Sequence, residues 1–207
     1  MNVLVYDNGI SNLKSMVNAI KYTGNKPIVT NDCKIENGKY SHLVLPGVGS
    51  FSSAMRIMKK NFADQRIKEF ISNGGHILGV CLGMQLLFDE GFEGGQLAGL
   101  GILEGSVLKL PPPDKQHGET IPNMGWHDIR INCDSPLIEK NTQSIQCYFV
   151  HEYHCVPNDS KITTMEISYG NKSICAGVNK GRVNGVQFHP EKSGKMGLEM
   201  ISHFIDS

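Results

Sequence analysis

Three side chains with complementary chemistry occur in two short clusters of the sequence. Cys81 lies in the middle of Gly79-Val80-Cys81-Leu82-Gly83, and the second cluster, much later in the chain, contains His189 and Glu191. A cysteine acts as a nucleophile through its thiolate, so it needs a nearby base, and the base needs a group that orients it. A thiol, an imidazole and a carboxylate are therefore the minimum set for acyl transfer by a cysteine.

The residues around Cys81 predict a turn from a strand into a helix. Residues 77–80 form an apolar run typical of a buried strand, and residues 84–88 have a helix-like pattern. A helix that begins at the thiol would favour the thiolate and would leave backbone N–H groups free to receive an oxyanion. The flanking Gly79 and Gly83 are expected to allow the sharp turn. A small, buried and unreactive thiol is the alternative for Cys81.

A second glycine-rich segment, Pro46-Gly47-Val48-Gly49, directly follows an apolar strand at 42–45. Glycines allow backbone N–H groups to approach a developing charge closely, so Gly47, Val48 and Gly49 are candidates for an oxyanion hole. A simple turn is the alternative for this segment. The pattern of a phosphate-binding loop is absent from the sequence. The alternative for the His189–Glu191 pair is a solvated loop.

Composition limits the classes of protein that the chain can belong to. It has 207 residues, with 20 basic and 20 acidic side chains, so we expect no nucleic-acid partner. We expect no zinc site, because the six cysteines lack the spacing of zinc ligands, and neither another metal nor an organic cofactor is implied for this chain. The other five cysteines are expected to be buried apolar residues; they are Cys33, Cys133, Cys147, Cys155 and Cys175. Without a signal peptide or an apolar run of about 20 residues, we expect no membrane association and a cytoplasmic location.

The elements that must position these residues change in character along the chain. Up to about residue 90, apolar strands alternate with helical patterns, which predicts a mostly parallel sheet covered by helices. Ser11 is the predicted N-cap of the first helix. After about residue 100, short strands separated by Gly, Asn and Pro turns predict a largely antiparallel stretch, and residues 195–206 form a final helix. Residues 111–123 are predicted to form a loop. We interpret residues 1–207 as a single domain.

These motifs resemble those of a known family. Gly79-Val80-Cys81-Leu82-Gly83-Met84-Gln85 and Gln187-Phe188-His189-Pro190-Glu191 resemble the nucleophile and His/Glu signatures of the class I glutamine amidotransferases, and residues 45–51 resemble their oxyanion strand. The resemblance implies a three-layer α/β domain around a central mixed, mostly parallel sheet flanked by helices, with extra antiparallel strands in the C-terminal half. It also implies a glutaminase with Cys81, His189 and Glu191 as the catalytic triad and with the Leu82 N–H in the oxyanion hole.

Five motifs, read in order, make the resemblance more specific; they are residues 45–49, 79–88, 122–126, 148–151 and 189–194. Together they resemble the glutaminase subunits of imidazole glycerol phosphate synthases. The resemblance implies that L-glutamine binds beside Gln85, His151, Glu152 and Tyr153. It further implies that a (β/α)8 synthase subunit receives the ammonia and forms a heterodimer. Residues at that interface would be Met124, Trp126, His127 and Lys192.

Two positions depart from the pattern of these subunits. His127 stands where Asn is usual, and Glu152 stands where Ser or Thr is usual. An alternative function is therefore that of a paralogous glutaminase, which supplies ammonia for the amidation of an amino sugar in surface polysaccharides. A more distant alternative is a cysteine hydrolase, chaperone or redox sensor of similar fold. Trp126 could also be a core residue rather than an interface anchor.

Overall fold

Five α-helices account for most of the helical structure in the computed structural model, which describes residues 1–9, 13–31, 39–142 and 144–207. They are α1 (Lys14–Tyr22), α2 (Phe51–Lys60), α3 (Ala63–Ser72), α4 (Leu82–Leu86) and α5 (Gly194–Asp206). The predicted cap residue Ser11 and also Cys33 lie outside the described residues. Among the helices of the described ranges, none is long and apolar enough to cross a membrane.

Thirteen strands are described, and most of them belong to one sheet. In the first half of the chain they are β1 (Asn2–Tyr6), β2 (Lys26–Thr30), β3 (His42–Gly47), β4 (His76–Cys81), β5 (Phe88–Gly91) and β6 (Leu97–Ala98). In the second half they are β7 (Leu103–Lys109), β8 (Asn123–Ile131), β9 (Ser144–His151), β10 (Tyr153–Pro157), β11 (Thr163–Tyr169), β12 (Lys172–Lys180) and β13 (Val183–Val186). Short 3-10 turns occupy Lys115–His117, Ser160–Ile162 and Pro190–Lys192.

The main sheet has nine strands and is mixed, as the family resemblance implies. Its order is β2-β1-β3-β4-β13-β12-β11-β8-β9. The pairs from β2 to β13 are parallel, and the pairs from β13 to β9 are antiparallel. β4 lies between β3 and β13, so the segments that follow these three strands meet at one edge of the sheet.

Helices cover both faces of the sheet because its buried strands alternate their side chains between two apolar clusters. On β1, Val3 and Val5 pack in the cluster that includes residues of α1 and α5. Leu4 and Tyr6 point the other way, into the cluster that includes residues of α2, α3 and α4. This alternation gives the three-layer arrangement.

The structure also contains a second sheet of four strands, in the order β10-β7-β5-β6. The sequence patterns do not predict this separate sheet. Phe88 was predicted to continue the helix after Cys81, but α4 ends at Leu86 and Phe88 begins β5, where it pairs with Leu103 of β7. Short apolar runs fit a buried helix and a buried strand equally well, so periodicity could not separate them.

The end of the predicted loop 111–123 also differs from the structure, because β8 begins at Asn123 and is longer than predicted. Its first half carries Met124 and Trp126 on the exposed side. Apolar side chains that face outward do not give the alternation by which a half-buried strand is identified. The sequence therefore predicts this strand only from Ile129 onward.

Candidate active site

Cys81 occupies a strained position at the end of β4. Its backbone has φ 53° and ψ −112°, a conformation that residues other than glycine rarely adopt. Cys81 is 6% exposed and pairs in register with Gly47 of β3. The turn is therefore made by the cysteine itself, which holds its thiol at the edge where β3, β4 and β13 end.

The glycines beside Cys81 serve close packing rather than the turn, which corrects the prediction made from the sequence. Neither Gly79 nor Gly83 is among the residues with positive φ. A Cβ on Gly83 would lie 1.7 Å from the carbonyl oxygen of Leu45, and a Cβ on Gly47 would lie 2.7 Å from the Leu82 Cβ. The helix after Cys81 can thus lie directly against the neighbouring strands. Because α4 spans only five residues, its dipole is smaller than the sequence suggested.

His189 and Glu191 form a close pair next to the thiol. His189 follows β13, the parallel neighbour of β4, so the two strands bring it and Cys81 to the same edge. The His189 Nδ1 and Glu191 Oε1 atoms are 2.8 Å apart. The other ring nitrogen, Nε2, is buried and has no hydrogen-bond partner among the described residues, so it is free to exchange a proton with a reacting group.

The electrostatics of His189 match this arrangement. Burial alone would lower its pKa, but the nearby Cys81 sulfur and the Glu191 carboxylate outweigh burial and raise the pKa of His189 to about 10. Both partners favour the imidazolium, since each is negative when ionised. The surroundings of His189 therefore favour an imidazolium held between the Cys81 sulfur and the Glu191 carboxylate.

Two buried glutamines complete the surroundings of the thiol. Gln187 Nε2 lies 3.7 Å from the Cys81 sulfur, and Gln187 Oε1 accepts a hydrogen bond of 3.1 Å from Gln85 Nε2. Gln85 also donates to the carbonyl oxygen of Tyr153 at 2.9 Å. The amide nitrogen of Gln85 thus donates both of its hydrogen bonds to acceptors within the protein. Gln187 belongs to the motif Gln187-Phe188-His189-Pro190-Glu191. Its contact with Cys81 could not be predicted from the sequence, because the two residues are distant in the chain.

A cavity of about 300 Å³ opens beside the thiol. It is lined by Val48, Gly49, Cys81, Leu82, Gln85, Glu93, Val150, His151, Glu152 and Tyr153. Most of the predicted oxyanion and substrate residues therefore share one cavity with Cys81, whereas Gly47 is buried at the end of β3. The sequence does not mark Glu93 as a site residue, because the segment after β5 carries no motif. Its carboxylate accepts a hydrogen bond of 2.6 Å from the Phe51 N–H.

His151 lines the cavity, but its ring nitrogens are already in use. Nδ1 lies 2.8 Å from the carbonyl oxygen of Tyr153, so it carries the proton and donates it. Nε2 then accepts a hydrogen bond of 3.0 Å from the Asn123 amide. Burial, the largest influence, lowers the pKa of His151 to about 4 and keeps the ring neutral. His151 thus fixes the start of β8 to β9.

Of the four predicted interface residues, Met124, Trp126 and Lys192 fall on or near one surface, whereas His127 does not. Met124 and Trp126 are 57% and 55% exposed, so the alternative of a core tryptophan is wrong. The Trp126 ring lies edge-on to the Tyr148 ring at 6.2 Å, and Lys192 Nζ lies 5.8 Å from the centre of that same ring. We refer to Met124, Trp126, Tyr148 and Lys192 as the aromatic patch. His127 points to the other side of β8, where it packs on Phe149.

The remaining described cysteines offer no comparable chemistry. Cys147, Cys155 and Cys175 are buried as expected, whereas Cys133 is exposed. Burial raises the pKa of Cys147 and of Cys175 to about 12. A larger cavity of about 570 Å³ borders Cys133 and His203, but His203 Nδ1 is bonded to the Leu137 carbonyl oxygen at 3.1 Å.

Comparison with known proteins agrees with the geometry. The family model described as glutamine amidotransferase class-I matches residues 4–207. The imidazole glycerol phosphate synthase subunit HisH of Caldanaerobacter subterraneus subsp. tengcongensis is 40% identical, over 97% of this chain and 95% of that protein. The HisH subunit of Chlorobaculum tepidum is 34% identical over 99% of both chains. Among solved structures, that of PurLQS from Thermotoga maritima has a TM-score of 0.76 at 18% identity, covering 99% of this chain and 97% of that one.

Proposed function

The chain belongs to the class I glutamine amidotransferases, and on this premise we propose that it is the glutaminase subunit of an imidazole glycerol phosphate synthase. The observation that carries the proposal is the Cys81–His189–Glu191 constellation beside a cavity. Membership of the family argues against an unrelated cysteine hydrolase, chaperone or redox sensor. The relatives compared support the histidine pathway and give no support to the sugar-amidating alternative.

In the first half of the proposed reaction, the Cys81 thiolate attacks the carboxamide carbon of L-glutamine. The N–H groups of the Gly47–Gly49 segment and of Leu82 stabilise the oxyanion of the tetrahedral intermediate. When the intermediate collapses, the C–N bond breaks and His189 donates its proton to the leaving nitrogen. The products of this half are ammonia and a glutamyl thioester on Cys81.

In the second half, water hydrolyses the thioester. His189, now neutral, accepts a proton from water as the oxygen attacks the acyl carbon, and collapse of the second intermediate breaks the C–S bond. Glutamate leaves, and the thiolate–imidazolium pair is restored. Glu191 holds the ring so that Nδ1 faces the carboxylate and Nε2 faces the thiol.

The lining of the cavity suits an amino-acid amide. Two carboxylates, those of Glu93 and Glu152, lie in the same lining as Cys81. An α-ammonium group next to carboxylates is favourable, so we place the amino-acid end of glutamine on this side, with Tyr153 beside it. The amide end then points toward the thiol.

The ammonia must reach a second reaction without being protonated, so we propose that it passes to a (β/α)8 synthase subunit in a heterodimer. That partner would use it to form imidazole glycerol phosphate and AICAR. The aromatic patch supports a docking role, because exposed Trp and Met side chains of this kind are favoured as interface anchors. The proposal retains the cytoplasmic location expected from the sequence.

Replacement of Cys81 by serine tests the proposed function. Cys81→Ser is expected to reduce glutamine hydrolysis by several orders of magnitude while the fold persists, because members of a triad act as a unit. Ammonia added directly should still support the reaction of the partner. The matched control is Cys133→Ser, an exposed cysteine away from the site, which should hydrolyse glutamine at the rate of the wild type. Near-normal hydrolysis by Cys81→Ser would contradict the proposal.

A further inference from the structure

Ser193 lies at the junction of the Pro190–Lys192 turn and α5, where serine usually caps the helix. It holds the N-cap position of α5, yet its side chain makes no capping hydrogen bond to any N–H group that the structure describes. A capping serine typically contributes about 1 kcal/mol to helix stability. Ser193 is only 3% exposed, so its hydroxyl must be committed to another interaction.

That interaction joins the turn of the catalytic base to β9. The Ser193 hydroxyl donates to the His189 carbonyl oxygen at 2.7 Å and accepts from the Tyr148 N–H at 3.0 Å. The His189 N–H in turn donates to the Tyr148 carbonyl oxygen at 2.9 Å. Three hydrogen bonds therefore close a ring among Ser193, His189 and the backbone of Tyr148.

The nucleophile contacts the same strand two residues further on. The Cys81 sulfur lies 3.7 Å from the carbonyl oxygen of Val150. β9 is an edge strand whose other side pairs with β8, and residues i and i+2 of a strand direct their backbone groups to the same side. One edge of β9 thus contacts both the base and the thiol.

We propose that Ser193 is a positioning residue for His189: it fixes the backbone of the base to the strand that also contacts Cys81. This inference rests on the proposed glutaminase function. Ser193 lies outside the cavity lining and acts through His189 rather than on substrate. Without the hydroxyl, the turn from His189 to Lys192 keeps its internal hydrogen bonds but loses one of its two fixed points on β9.

The test compares Ser193→Ala with Ser135→Ala. Ser135 is also buried, and its hydroxyl accepts a backbone N–H, that of Leu137, far from the site, so the loss of a buried serine hydroxyl is matched. Each variant is assayed for kcat and KM with glutamine, with and without the synthase partner. The pKa of His189 is followed by NMR, which needs no turnover.

Ser193→Ala is expected to lower kcat by about 10- to 100-fold, because a small misplacement of a catalytic group is this costly. KM should stay within about twofold, since the cavity is unchanged. The NMR pKa of His189 should fall, because the ring would sit less closely between Cys81 and Glu191. Ser193→Thr, which keeps the hydroxyl, should recover most of kcat.

A purely structural serine would behave differently. Both alanine variants would then lose similar thermal stability, with kcat and the pKa of His189 unchanged, and the inference would be overturned. If Ser193→Ala did not fold, Ser193→Cys, which keeps a weaker donor and acceptor at the same place, would be compared in its stead. A wild-type protein that releases no ammonia from glutamine would refute the proposed function, whereas normal kcat in Ser193→Ala would refute only the role of Ser193.

Discussion

The most demanding residue is Cys81, whose backbone conformation has a cost on the order of 1–3 kcal/mol. The surrounding packing holds it there: Gly83 lets the next turn press against β3, and Gln187, just after the neighbouring strand β13, approaches the sulfur. The strained position presents the thiol at the edge of the sheet, facing both His189 and the cavity. The strain is thus part of how the thiol of the proposed nucleophile is presented.

A charge change at Glu191 tests the electrostatics of the base. Glu191→Gln should lower the pKa of His189 from about 10, because one of the two groups that raise it becomes neutral while burial still lowers it. The glutaminase rate should fall, though less than in His189→Ala, since the carboxylate orients the base and does not transfer the proton. NMR titration and steady-state kinetics measure the two effects.

The same shift has a consequence for stability with a defined sign. Because the pKa of His189 is higher in the folded protein than the ordinary value of about 6.5, protonated His189 favours the fold below pH 6.5. That contribution is lost as the pH rises toward about 10, and the loss should be smaller in Glu191→Gln. His189 is buried, so the alternative of a solvated loop is wrong. A pH dependence of stability that is the same in Glu191→Gln and in the wild type would contradict the coupling of the two side chains.

His151 should make the fold sensitive to acid. Its pKa is lowered to about 4 by burial, so the unfolded chain binds the proton more readily than the folded one. Stability should therefore fall as the pH drops from about 6.5 to about 4, by on the order of 3 kcal/mol in total. Denaturant unfolding of wild type and His151→Gln over this range isolates the contribution. An identical pH dependence in the two proteins would contradict it.

Among the elements, α4 depends on a contact that only glycine permits. In Gly83→Ala the new methyl group would overlap the Leu45 carbonyl, so α4 must move away from β3. We expect a loss of stability of about 2 kcal/mol or more, together with a loss of hydrolysis, since Cys81 begins this helix. Gly181→Ala is the control, because its Cβ would meet open space and only its positive φ would be disfavoured. Equal losses in the two variants would show that close packing of α4 is unimportant.

Helices and strands whose own residues show an apolar pattern could be predicted from the sequence. Strands whose identity depends on pairing with a strand far away in the sequence could not. β1, β3 and β4 are continuous apolar runs, and α5 repeats its apolar residues at helical spacing, so both kinds were found. The sequence predicts the start of β5 as the continuation of a helix, because its identity as a strand depends on pairing with β7.

The site follows the same rule. Cys81, His189 and Glu191 could be singled out because their residue types carry the chemistry, and the fold brings them together. The roles of Gln187 and Ser193 could not be anticipated. Each role depends on a hydrogen bond to a residue that is far away in the sequence but close in the fold. Neither side chain belongs to a type that by itself indicates a catalytic role.

At the scale of the whole molecule, the aromatic patch should anchor the synthase subunit. Trp126→Ala should weaken its affinity by about 2 kcal/mol or more, because an exposed tryptophan that becomes buried in an interface is a typical anchor. Tyr22, an aromatic residue that is 78% exposed on α1, gives the control: Tyr22→Ala should bind normally. Tryptophan fluorescence reports binding directly, since Trp126 is the only tryptophan. Unchanged emission and unchanged affinity would remove the patch from the interface.

The contacts along β9 also bear on the solubility of the protein. An exposed edge strand offers unpaired N–H and C=O groups on which another chain can add a strand, which leads to aggregation. Here the backbone groups of Tyr148 are occupied by His189 and Ser193, and the carbonyl of Val150 faces Cys81. The turn that runs from His189 to Ser193 therefore also shields this edge. Substitutions that loosen the turn should therefore increase self-association as well as slow the hydrolysis of glutamine.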